Sequence, residues 1–257
     1  MKIAVCVCTP TGGAVNDRDA FERRGRVGRA VLSPFDSRAV EMATRIAEAH
    51  GGEVVVLSVG SAADLGAVRE ALALGGERGV ILDDPMLDGA DLIGIARALA
   101  ALFRSEAPTM MLGCFWNGDI DGSLLWAATA ELLGVPMIAQ AQALEFADGE
   151  VIARRQIETG DLTVAAATPC LVDLAETIVK PRYPTIKTKM AAKRKPVGIV
   201  SLAEIGLSAD AVGSGAAAAV LGALREPPAS RQPRVVEGAA ATPEAVHGFL
   251  AEKGLLP

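Results

Sequence analysis

The chain has 257 residues, 51% of them hydrophobic and only 4% aromatic, with a formal net charge of −6. That is enough apolar material for a full core, and its Ala, Val, Leu and Gly suit tightly packed helices over a parallel sheet better than an all-β sandwich. The acidic balance argues against general nucleic-acid binding, and no apolar run approaches the ~18 residues needed to span a bilayer. Met1-Lys2 leads directly into a strand-like Ile3-Ala4-Val5-Cys6-Val7 instead of a signal-peptide layout, so the cytoplasm is the expected compartment.

Residues 2–8 read as a first strand, broken by Thr9-Pro10-Thr11-Gly12-Gly13 and followed by a charged, irregular stretch to Arg29. Ser33 is suited to cap a helix and Pro34 to its first turn. Ala39, Val40, Met42, Ala43, Ile46 and Ala47 then recur at helical spacing until Gly51-Gly52. A second strand over 54–60 is followed by a helix over 62–74, a strand over 79–82, a helix over 91–103, a strand over 109–113 and a helix over 124–133. This alternation predicts a doubly wound, mostly parallel α/β sheet. From Met137 the period changes. Strands over 138–146, 151–155 and 162–167, separated by Asp148-Gly149 and Thr159-Gly160, predict an antiparallel extension. Residues 199–207 read as a turn of helix. The stretch 208–234, rich in Ala, Gly, Pro and Arg, cannot bury enough surface alone and either stays loose or wraps another chain. Thr242-Pro243 opens a short terminal helix to Lys253.

In a parallel sheet, ligands bind outside the carboxyl ends of the strands. Three such places carry small or polar residues: Ser33-Pro34-Phe35-Asp36, Ser58-Val59-Gly60-Ser61, and Gly113 to Ser123, which includes Asp119, Asp121 and Gly122. A helix N-terminus after Gly122-Ser123 could accept phosphate, although ordinary capping explains the same residues. Neither Gly-x-Gly-x-x-Gly nor a Walker A motif occurs. Asp119 and Asp121 lack a third acid to make a metal site. Cys6, Cys8, Cys114 and Cys170 have no metal-ligand spacing and read as small buried hydrophobes. His50 and His247 have no companion for acid–base work, so no catalytic residue is expected.

Residues 178–196 invert the local charge. They hold the only tyrosine, Tyr183, between Pro181 and Pro184, and the cations Arg182, Lys187, Lys189, Lys193, Arg194 and Lys195 without an intervening acid. Pro-x-x-Pro fixes an extended entry, and the residues after it are good helix formers. From charge alone this is either a solvated cationic helix or a surface for an acidic partner.

Here the sequence resembles the β subunit of electron-transfer flavoproteins, whose signature is Asn-x-Pro-Arg-Tyr followed by Met-x-Ala-Lys-Lys-Lys. The counterparts are Lys180-Pro181-Arg182-Tyr183-Pro184 and Met190-Ala191-Ala192-Lys193-Arg194-Lys195, with the Asn absent. The family's Asn-Pro-Phe-Asp corresponds to Ser33-Pro34-Phe35-Asp36, and its Val-Ser-x-Gly-Pro turn to Leu57-Ser58-Val59-Gly60-Ser61. Gly113 to Asp121 is similar to its Gly-x-Gln-x-x-Asp-x-Asp loop, with one residue inserted and Phe115 in place of Gln. Arg155 to Gly160 partly matches its Arg-Glu-x-x-Gly-Gly hairpin.

The resemblance implies an adenine-nucleotide α-hydrolase-like fold, AMP in the nucleotide site with Cys6 approaching adenine, and FAD shared with an α subunit. It implies a docking segment for a flavin-dependent dehydrogenase, in which Ile186 stands where a leucine enters a partner pocket, and an acceptor such as a quinone reductase. The organisation it suggests is a nucleotide-binding domain over 1–200 and a C-terminal arm over 201–257 around the partner subunit. Two alternatives stay open. Asp83 to Asp91 is similar to the segment of bifurcating members that hold a second FAD instead of AMP, and a universal-stress-type nucleotide-binding protein would share the sheet.

Overall fold

The computed structural model describes residues 1–7, 31–62, 65–114, 124–219, 238 and 242–256. Its described strands are β1 (Lys2–Cys6), β2 (Glu53–Gly60), β3 (Arg78–Asp83), β4 (Met110–Cys114), β5 (Met137–Ala147), β6 (Glu150–Ile157), β7 (Gly160–Ala167), β8 (Cys170–Leu174) and β9 (Val197–Val200). They form one sheet in the order β7-β6-β5-β8-β4-β1-β2-β3-β9. From β5 to β9 along that order every pair is parallel, while β6 and β7 add antiparallel to β5. The expected doubly wound sheet with an antiparallel extension is what forms.

Helices α1 (Pro34–His50), α2 (Leu65–Leu74), α3 (Leu92–Glu106) and α4 (Leu125–Leu133) cover it, α5 (Ile186–Ala192) packs against α2, and α6 (Pro243–Glu252) follows later in the chain. Strand alternation sends side chains to two cores. Val5, Val56 and Leu112 meet Ala39, Val40 and Ala43 of α1 and Val68, Ala71 and Leu72 of α2. Ala4, Val55, Leu57 and Met111 meet Ala96, Leu99 and Phe103 of α3 and Trp126 of α4. With helices on both faces, β4 and β8 are buried at every residue, as parallel strands between two layers must be. The β5–β6 turn takes positive φ at both Asp148 (52°) and Gly149 (80°), the backbone a two-residue hairpin requires.

Two elements differ from the sequence reading. β8 was not anticipated: five residues with an acid inside them give little periodicity, yet they slot between β4 and β5. Residues 199 and 200, read as the start of a helical turn over 199–207, instead end the edge strand β9 (Val197–Val200), which pairs in parallel with β3. Val197, Ile199 and Val200 are β-branched and pack better on a pleated surface than in a helix, and Pro196 sits at the strand's entry. A 3-10 turn at Ala203–Ile205 follows, and Leu202 and Val212 are buried in the core with α3 and α4.

The chain divides into two compact units, Met1–Val220 and Leu221–Pro257. In the second, the Thr242 hydroxyl caps α6 by accepting from the Ala245 amide at 3.2 Å. No helix among the described residues is long and apolar enough to cross a membrane.

Candidate functional site

The sheet order places β1 between β2 and β4, so the chain winds one way to β3 and then crosses to the other side of β1. That makes the carboxyl ends of β1 and β4 the topological switch point. Cys6 lies there, buried and in register with Leu57. One residue further along β2, Ser58 is fully buried, and its Oγ has no hydrogen-bond partner among the described residues. Val59 and Gly60 continue the ladder against Leu82 and Asp83.

α1 leads back from this edge. The Ser33 hydroxyl accepts the Asp36 amide at 2.9 Å and Pro34 opens the first turn, as the sequence suggested. Asp36 is buried, and the Arg38 guanidinium lies 5.6 Å from the Phe35 ring. A carboxylate in that first turn suits a ribose hydroxyl or an amino group better than a phosphate. Gly113 has a packing reason of its own: a Cβ there would stand 2.4 Å from the Trp126 ring, whose Nε1 donates to the Cys114 carbonyl at 3.1 Å. Cys8, Phe115, Asp119, Asp121, Gly122 and Ser123 lie outside the described residues.

Asp173, which the motif reading did not single out, is the neighbour of Gly113 across β4 and β8. It is 2% exposed; Oδ2 accepts the Gln140 amide at 3.3 Å and Oδ1 has no partner among the described residues. Burial pushes its carboxyl up to about 7, against the Gln140 hydrogen bond and the charge of Arg155. Gln140 adopts φ 54° where the β5–β8 register shifts. An acid inside the apolar run Cys-Leu-Val-Asp-Leu is the sequence signal that could have found it.

The acidic turn from Asp83 to Asp91 works as a set of caps. Asp84 accepts the amides of Met86 (2.9 Å) and Leu202 (3.1 Å). Asp91 caps α3 through the Gly94 amide at 2.8 Å and also receives those of Ala218 (2.7 Å) and Ala219 (3.2 Å). These bonds, that from Gly94 foremost, hold the Asp91 carboxyl below its usual value despite partial burial.

The basic segment runs over the α1–α2 layer. The Thr185 hydroxyl caps α5 at the Thr188 amide, 3.2 Å away. Two of its cations turn inward. Arg182 binds Glu41 and Glu48 of α1, and Lys195 Nζ donates to the carbonyls of Leu72 (2.9 Å) and Gly76 (2.6 Å). The sequence reading had set both on the docking face. Tyr183, Ile186 and Met190 point out, at 87%, 84% and 54% exposure. Lys187, Lys189, Lys193 and Arg194 are exposed around them, while Pro181 and Pro184 are half-buried. A cleft of about 450 Å³ opens beneath, between Thr44, Glu48, Leu74, Glu77, Pro184 and Lys195, and none of the carboxyl-edge residues lines it.

Buried Cys6, Cys114 and Cys170 behave as packing residues; burial raises the Cys170 thiol to about 11. Among the described residues no group of three or more His, Cys, Asp or Glu could hold a metal ion.

Residues 25–205 match the electron transfer flavoprotein domain family. The β subunit of the electron transfer flavoprotein of Mycobacterium tuberculosis is 32% identical over 231 residues, 87% of each chain. That of Mycobacterium leprae is 35% identical over 190 residues, 72% of this chain and 71% of the relative. A subunit of the caffeyl-CoA reductase–Etf complex of Acetobacterium woodii, CarD, is 28% identical over 226 residues, 87% and 86% of the two chains. The sheet alone would suit the universal-stress alternative equally, and it is these matches that displace it: the chain belongs to the electron transfer flavoprotein family as a β subunit, a protein that transfers electrons and is not an enzyme in itself.

Proposed function

We propose that this β subunit forms a heterodimer with an α subunit holding most of the FAD, binds AMP at the carboxyl edge of its sheet, and docks a flavin-dependent dehydrogenase through residues 181–195. FAD supplies the redox chemistry when bound, so the chain's own task is position and electrostatics. AMP fits the carboxyl edge in two respects: Ser58 keeps a buried hydroxyl without a partner among the described residues, and Asp36 suits the nucleoside end. Of the arm expected over 201–257, Leu202 and Val212 pack into the core of the first unit; the chain beyond Val220 acts as the arm around the α subunit, and electrons leave to an acceptor such as a quinone reductase.

One observation carries the docking reading. Ile186 and Met190 stand one helical turn apart on α5, next to Tyr183, exposed and ringed by lysines. Apolar side chains with no core to serve, inside a cationic rim, form a small hot spot with charge steering. Ile186→Ala in the assembled flavoprotein should slow flavin reduction at subsaturating dehydrogenase, with ~2 kcal/mol lost from binding. Charge reversal at Lys193 and Arg194 should act through encounter rate and fade as salt rises. Stopped-flow reduction at two ionic strengths reads both, and wild-type rates in Ile186→Ala would overturn docking. Mass spectrometry of the denatured complex tests the nucleotide: one flavin plus AMP is expected, whereas two flavins would install a second FAD in the site.

A further inference from the structure

Glu41 lies in the middle of α1 with a side chain only 1% exposed, although α1 already fills its core face with Ala39, Val40, Ala43 and Ile46. A buried carboxylate is costly unless it is paired and hydrogen-bonded. Its partners come almost entirely from the docking segment. Arg182 donates its backbone amide (3.1 Å) and Nε (2.8 Å) to Oε2 and its Nη2 to Oε1 (3.3 Å), and Arg45 Nε adds 2.6 Å to Oε1. The same guanidinium reaches on to Glu48, two turns along α1, with Nη1 at 2.7 Å and Nη2 at 3.0 Å. A planar fork held by two carboxylates fixes direction as well as place.

The other end of the segment is tied to a different helix. Arg69 of α2 donates to the carbonyl of Ala192 at 2.7 Å and to that of Lys195, and Lys195 returns its ammonium to the end of α2 at the Leu72 and Gly76 carbonyls. Between these mounts stand Tyr183, Ile186 and Met190. We infer that Glu41 and Arg69 are positioning residues for docking: they fix both ends of 182–195, so the apolar anchor meets the dehydrogenase in a preformed geometry. The inference rests on the docking reading above. Its physical content is preorganisation, since a segment already ordered loses less freedom on binding.

The test uses this chain assembled with its flavin-bearing subunit, with the dehydrogenase that co-purifies with it as electron donor. In Glu41→Gln and Arg69→Met, amide hydrogen exchange across 183–194 should rise about tenfold or more with the rest of the sheet unchanged, because only the mount is loosened. The dehydrogenase concentration for half-maximal flavin reduction should rise several-fold while the limiting rate and flavin content stay at wild-type values. Glu41→Gln added to Ile186→Ala should cost little more than Ile186→Ala alone, because a loosened mount has no anchor left to aim. Wild-type exchange in 183–194, or fully multiplicative losses in the double variant, would overturn the inference. If Glu41→Gln fails to assemble, Arg182→Lys keeps the charge but loses the fork and carries the same expectation. An unaffected Ile186→Ala would sink docking itself, and the exchange data would still decide whether the segment is mounted.

Discussion

Polar groups are handled in opposite ways at the two candidate regions. At the carboxyl edge, Ser58 Oγ and Asp173 Oδ1 are buried without a hydrogen-bond partner among the described residues. Over the α1–α2 layer, the Glu41 carboxylate receives four hydrogen bonds, three from Arg182 and one from Arg45. A buried orphan costs about 1–3 kcal/mol, so it persists only where something else gives it a reason. A saturated carboxylate is finished as it stands. On the function proposed above, the difference separates a region that receives a group from one that holds its own chain still.

Breaking the saturated side should have the largest effect. Arg182→Met leaves Glu41 buried with Arg45 as its remaining side-chain partner, and denaturant unfolding should show a loss of roughly 2–4 kcal/mol. The acid limb should change with it. Burial alone would raise the Glu41 carboxyl, but hydrogen bonds from Arg182 and Arg45 outweigh it and hold the group below its ordinary value. A depressed carboxyl stabilises the fold above its unfolded value of about 4.3 and gives that up as pH falls through the lower folded value. The wild type should therefore lose stability below about pH 4, and Arg182→Met should lose less there because less remains to lose. Parallel acid limbs in the two proteins would show that Glu41 is not held by Arg182.

Asp173 runs the other way. Its folded carboxyl keeps the proton up to about 7, whereas the unfolded chain releases it near the ordinary ~3.9. Wild-type stability should fall as pH climbs between those values and level off above them. Asp173→Asn removes that slope. It should match the wild type near pH 4 and exceed it by about 2 kcal/mol at pH 8, the full linkage being reduced because an amide is also imperfectly paired there. A pH-independent difference would mean the carboxyl is ionised in the fold.

The smallest effect belongs to Ser58→Ala. Deleting a hydroxyl with no partner should leave stability unchanged or raise it by up to about 1 kcal/mol in nucleotide-free protein, read from the denaturation midpoint. A loss above that would show that the hydroxyl is already bonded, and would blur the contrast between the two regions.

The capped, glycine-bounded parts of the chain were legible because the signals are local. Ser33-Pro34 and Gly51-Gly52 bracket α1, and Asp148-Gly149 turns the β5–β6 hairpin. β8 and β9 were not legible, because short apolar runs carry no clear period and their pairing is decided by which edge has ladder groups to offer. The direction of the cations was hidden for a related reason. Arg182 and Glu41 are 141 residues apart in sequence, and Lys195 and Leu72 are 123 apart, so charge counting saw one basic patch where the fold makes two mounts and an outward rim. Of the exposed Tyr183, Ile186 and Met190, only Ile186 was set outward from the sequence, by its place after the Pro181–Pro184 entry; the exposure of the other two emerges from the fold.

One helix touches both regions: α1 begins at the carboxyl edge with Asp36 and carries Glu41 and Glu48 further along the same rod. At about 100° of rotation and 1.5 Å per residue, a one-residue insertion between Asp36 and Glu41 would swing both glutamates away from Arg182 while leaving every local helix signal intact. An insertion of seven residues would nearly restore their direction but move them about 10 Å along the axis. The length of this stretch should thus resist change during divergence even where its individual residues drift, a constraint on spacing that no single side chain reveals.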